Sequence, residues 1–80
     1  MVDPRKRYPT HVEALIRELR AQGQQPEHWR VLDAIEIRLD EMAQEVEFTL
    51  IQHVEGSDDD LVWRRRVLAS FGKVLKITAV

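Results

Sequence analysis

Three observations predict an all-α fold for this chain. The stretch from Glu27 to Glu55 contains neither glycine nor proline. Its apolar residues Leu32, Ile35, Leu39, Met42, Val46 and Leu50 recur every three or four positions, which is helical or coiled-coil spacing. Helix start and stop residues also bracket this stretch on both sides. The expectation is three helices, at about 10–22, 26–55 and 58–71 or longer, forming a helical hairpin or bundle around a long central helix.

Residues 1–9 carry prolines at 4 and 9 and the basic run Arg5-Lys6-Arg7, and read as a flexible basic arm ahead of one helical domain over 10–80. Thr10-His11-Val12-Glu13 fits a capping box, with Thr10 and Glu13 satisfying each other's backbone amides. Val12, Leu15, Ile16 and Leu19 follow at i, i+3, i+4 and i+7, a single apolar stripe. Gly23 supplies the stop.

Pro26 suits the first position of a second helix. Run to Glu55, that helix would be about 45 Å long, and the first helix would cover only about 20 Å of it. Ile37 and Phe48 fall well away from the seam, so the long helix is expected to have neighbours on two sides. A competing reading starts from Glu45-Val46-Glu47-Phe48-Thr49-Leu50, which alternates polar and apolar and is rich in strand formers. It gives an α+β fold with strands near 45–54 and 74–80 paired to each other.

Gly56 ends the second element, and Ser57 followed by Asp58-Asp59-Asp60 reads as a helix start, with carboxylates where the helix dipole favours them. In the third helix Leu61, Trp63, Val67, Leu68, Phe71, Val74, Leu75 and Thr78 take one side. Arg65, Arg66, Lys73 and Lys76 form a basic face opposite.

Eighty residues make one domain at most, and a monomer of this size buries only about 60% of its unfolded surface. With no cysteine, neither a disulfide framework nor a thiolate metal site is expected. No leader with an apolar core and no spanning run is seen, so the expected location is cytoplasmic. The net charge of −2 hides segregation: residues 26–56 hold eight acids against two arginines, whereas 61–80 hold five basic groups and no acid. Oppositely charged elements packing together is the first consequence.

Chemistry is hard to find. His11, His28 and His53 lack a second ligand at helical spacing, Ser57 and Ser70 lie in no nucleophile motif, and pairs such as Asp40-Glu41 read as solvating charge. No enzyme activity, cofactor or metal is expected. The expected function is protein–protein interaction or oligomerisation, the partner being a protein and first of all a second copy. Leu32, Ile35, Ile37, Leu39, Met42, Val46 and Phe48 are the expected contact residues. Attachment to a membrane surface through a basic amphipathic helix over 61–80 is the second reading. Nucleic-acid binding through Arg5, Lys6, Arg7 and Arg64 to Arg66 is the third. It is disfavoured because the helix after Gly23 would present acids to phosphate.

The pattern Ala34-Ile35-Glu36-Ile37-Arg38-Leu39-Asp40-Glu41-Met42, then Trp63-Arg64-Arg65-Arg66, then Gly72-Lys73-Val74-Leu75-Lys76-Ile77, resembles small phage and prophage hemolysin-type accessory proteins. The likeness runs over residues 30–80. It implies an acidic coiled coil joined through a basic juncture to a C-terminal membrane span, a span that this sequence does not show before Val80.

Overall fold

The computed structural model describes residues 3–40 and 42–80. The expectations placed on Met1 and Val2 in the arm, and on Glu41 beside Asp40, lie outside the described residues. A single helical turn, α1 (Pro4–Arg7), leads into a helix, α2 (Pro9–Ala21). A 3₁₀ turn over Pro26–His28 precedes four strands: β1 (Arg30–Leu39), β2 (Gln44–His53), β3 (Asp60–Ser70) and β4 (Lys73–Ala79). The strands form one antiparallel sheet in the order β1-β2-β3-β4, so each hairpin pairs neighbours in sequence.

The all-α expectation is therefore overturned, and with it the helical bundle and the coiled coil. The long central helix is a hairpin of β1 and β2, and the third helix is β3. The α+β alternative comes closer, because strands do occupy 44–53 and 73–79. Its pairing is not formed, since β2 lies between β1 and β3 while β4 pairs only with β3.

Why these residues make strands is visible in burial. Val46, Phe48 and Leu50 on β2 alternate with Glu45, Glu47 and Thr49, and the first three are buried. That is period 2, a half-buried strand. On β3, Val67 and Ala69 are buried on the same face as Trp63 and Arg65, while Arg64 and Arg66 project to the other side. Three turns connect the strands. Asp40, Met42 and Ala43 shape the first: the Asp40 carboxylate accepts from the Met42 and Ala43 amides at 2.9 and 2.7 Å. Gly56 at φ 82° and the Ser57 hydroxyl, which accepts from the Asp59 amide, shape the second. Ser57 thus caps a loop, and Asp60 begins β3 opposite His53. Phe71 and Gly72, at φ 49° and 78°, make the third, the backbone of a two-residue hairpin with both central residues left-handed.

Helix α2 is the first expected helix, over nearly the expected residues. Its N-cap is Tyr8 with no side-chain cap bond, so Thr10 lies inside the helix and the capping box is not used. At its other end the Gly23 amide reaches the Arg20 carbonyl and the Gln24 amide the Leu19 carbonyl, a Schellman closure that needs the left-handed Gly23. Val12, Leu15 and Leu19 pack into one core with Tyr8, Trp29, Val46, Phe48, Leu50 and Val67. The N-terminal segment expected as a flexible arm contributes Tyr8 to that core and the turn α1 beside it. The helices cover one face of the sheet; the other, carrying Ile35, Glu47, Arg66 and Thr78 across its middle, is the open face.

Candidate interaction surface

The expected contact residues divide in two. Val46 and Phe48 are fully buried under α2 and are core, not surface. Phe48 stands edge-on to Tyr8, with ring centroids 6.0 Å apart. The structure puts the other five together on the outside. Leu32, Ile35, Ile37 and Leu39 are on β1, an edge strand, and Met42 is in the turn that follows it. They keep between 42% and 67% of their surface exposed. Five of the ten large apolar side chains left exposed among the described residues thus fall within eleven positions.

Strand β1 is irregular. It pairs with β2 from Arg30 opposite Ile51 to Leu39 opposite Gln44, but Leu32 and Ile37 have no partner there, so each is the extra residue of a bulge. Cross-strand partners share a face. Val31, Ala34, Glu36 and Leu39 therefore lie on the helix face, opposite Leu50, Phe48, Val46 and Gln44. Asp33, Ile35 and Arg38 lie on the open face, opposite Thr49, Glu47 and Glu45.

A groove of about 420 Å³ runs along the helix side of β1, lined by Pro4, Arg7, Tyr8, Val31, Leu32, Asp33, Ala34 and Glu36. Its polar end is one cluster. The buried Tyr8 hydroxyl donates to a Glu36 carboxylate oxygen, and the Arg7 guanidinium donates to the same oxygen at 2.8 Å. The Tyr8 bond holds the Glu36 carboxyl below its usual range; burial, the next effect in size, opposes it, and the Arg7 charge and bond add smaller lowering contributions. Burial first, then the bond to Glu36, pushes the Tyr8 phenol above its ordinary value. This cluster fastens α1 to β1, because all capacity of the shared oxygen is taken within the chain.

Of the four residues of the expected basic face, Arg66, Lys73 and Lys76 share the open face and only Arg65 leaves it. Arg65 is on the helix face, its guanidinium 4.3 Å from the centre of the Trp63 ring. Arg66 is on the open face, bonded to Glu47 at 3.0 Å. Lys76 lies opposite Leu68 on that open face, and Lys73 opposite Ser70 beside the last turn. A basic amphipathic helix over 61–80 is not formed, and no helix among the described residues is long and apolar enough to cross a membrane.

Two features escaped sequence reasoning. His11 is buried, and its Nε2 donates to the Gln44 carbonyl oxygen at 3.1 Å, joining the start of α2 to the start of β2. Phe71 sits at a left-handed turn position with 79% of its surface exposed. The Phe-Gly dipeptide before a new apolar run was the available signal for that turn. Compared with known proteins, the chain matches no protein family, no curated protein and no solved structure.

Proposed function

We propose that this chain is a non-enzymatic contact module that associates with a protein, first of all a second copy of itself, through the exposed edge of β1 and the turn after it, in the cytoplasm. One observation carries the reading: Leu32, Ile35, Ile37, Leu39 and Met42 cluster on an edge strand instead of joining the core. Exposed apolar residues gathered along one edge are a recurring mark of an interaction site, and an edge strand adds backbone donors and acceptors, of which the Ala34 amide is already held by the Asp33 carboxylate at 2.9 Å. Fully burying one such side chain contributes about 1.5–3 kcal/mol. The small size of the domain points the same way, since little of its apolar surface can be covered from within.

The test is light scattering over a concentration series, read beside hydrogen exchange of the β1 amides. Association should raise the molar mass, and the β1 amides should become protected as it rises. Leu39→Asp should keep the circular dichroism spectrum and lower the association constant at least tenfold, because Leu39 is half exposed and a charge there disturbs the interface more than the fold. A chain that stays monomeric to high micromolar concentration, with unchanged exchange along β1, would sink the reading.

A further inference from the structure

We infer that two copies join by antiparallel pairing of β1 with β1, in the register that places Ile35 opposite Ile35 of the second copy, giving one continuous eight-stranded sheet. The inference rests on the self-association just proposed and specifies its geometry.

The choice of edge comes first. The sheet has two, β1 and β4. Strand β4 is seven residues long and carries Lys73 and Lys76, and short strands with lysine are the usual guards against edge pairing. Strand β1 is ten residues long, with neither lysine nor proline. Its own guard is the pair of bulges at Leu32 and Ile37, which would break the ladder with any regular partner strand.

A second copy of β1 removes that obstacle. With Ile35 on the two-fold axis, the step Leu32-Asp33 of one copy faces the step Ile37-Arg38 of the other. Each strand then holds one extra residue at the same place, and the register is regained on both sides. The faces agree: Ala34 lies opposite Glu36 and Val31 opposite Leu39, all four on the helix face, and Ile35 meets Ile35 on the open face. The charges agree as well. Arg30 lies opposite Asp40, which pairs with Arg38 of its own chain at 2.7 Å, Asp33 stands one position from Arg38 of the second copy, and no like charges are directly opposed.

The neighbouring registers fail on the same rules. Centring on Ala34 sets Arg30 against Arg38, and centring on Glu36 sets that carboxylate against its own copy. The half-steps oppose residues from different faces, Ala34 to Ile35 in one and Ile35 to Glu36 in the other. Directly opposed like charges destabilise a strand pair, and a one-residue slip sends side chains to the wrong face. The two-fold axis of this pairing is perpendicular to the sheet, so both copies of α2 lie on one side and the two grooves along β1 meet at the centre.

The absence of cysteine makes the register directly measurable. Antiparallel partners have Cα atoms about 4.5–5.5 Å apart, inside the range a disulfide spans. Ile35→Cys should therefore oxidise to a covalent dimer. Leu32→Cys should not, because its two copies would stand about 20 Å apart along the strands. A mixture of Val31→Cys and Leu39→Cys chains should link as the heterodimer, while either alone should not, which keeps the test open if Ile35→Cys folds poorly. A dimeric mass with β1 amides protected, but with linking absent at position 35 and in the mixture, or equal at 32 and 35, overturns this pairing and leaves the contact reading standing. A monomeric mass at high micromolar concentration overturns both.

Discussion

Tyr8 joins two kinds of stabilisation in one side chain. Its ring is buried edge-on against Phe48, and its hydroxyl donates to Glu36 across to β1. The bond makes stability depend on pH at both ends. The Glu36 carboxyl is depressed in the folded chain, so its contribution is present above the unfolded value, about 4.3, and lost as pH falls through the folded one. The Tyr8 phenol is raised, so its contribution is fully present below about 10 and lost as pH rises through the folded value. Tyr8→Phe keeps the ring and removes the bond. Its melting temperature should fall below that of the parent most clearly near neutral pH, and the two should converge at both extremes. A constant difference from acid to alkaline pH would show that the bond contributes nothing. Phe48 bears a heavier load, being fully buried among Tyr8, His11 and the α2 stripe. Phe48→Ala should destabilise the fold by about 3–5 kcal/mol in denaturant titration, a loss of folding rather than of assembly.

At the scale of elements, the bulges explain why a hairpin reads as a helix. A regular strand would repeat its helix-face residues every second position, but each bulge inserts one, so β1 turns Val31, Ala34, Glu36 and Leu39 inward at spacings of three, two and three. With Leu32, Ile35 and Met42 outside, the apolar residues fall three or four apart, which is the helical period. The connection between β1 and β2 hides the second clue. It uses an aspartate side chain to hold two amides where glycine or proline would ordinarily mark a break, so nothing between Glu27 and Glu55 announces a reversal. What was legible is local. Helix α2 shows an unbroken stripe closed by Gly23, and β2 shows clean alternation at Val46, Phe48 and Leu50. The five exposed contact candidates were legible as one run of apolar residues; that Val46 and Phe48 belong to a core depends on α2 lying over the sheet, which spacing does not encode. The last turn is the opposite case, an available signal set against an unfavourable residue. Phe71 holds a left-handed backbone that costs a residue with a side chain about 1–2 kcal/mol, and it gains little burial in return. Phe71→Asn should stabilise the chain by about 1 kcal/mol, raising the melting temperature by roughly 4–8 °C. No gain in a thermal scan would mean that the Phe71 ring has contacts that offset its backbone strain.

For the whole molecule, one helix over a four-stranded meander leaves two edges and one face uncovered, and only a difference between the edges lets association stop. Pairing through β1 alone closes at two copies, because a two-fold interface uses the same patch on both partners. What remains exposed is then two copies of β4, each carrying Lys73 and Lys76. In the proposed dimer those lysines would keep the eight-stranded sheet from growing further, since a lysine brought against a second edge must lose its hydration or meet another lysine. Lys73→Val combined with Lys76→Val removes the guard without touching the core, as Val67, Phe48 and the α2 stripe lie elsewhere. Strand β4 would then be an unguarded edge rich in β-branched residues, able to pair with its copy on the next dimer, and pairing at both edges has no closed end. The double variant should therefore pass beyond the dimer in light scattering, reaching masses that climb with concentration, while the parent levels off at two copies. Adding Leu39→Asp to the double variant weakens the β1 edge as well and should cut the ladder back to pairs joined through β4. If the lysine-free chain levels off at the same mass as the parent, β4 is not a suppressed edge, and the asymmetry between the two sides of the sheet does not set the size of the assembly.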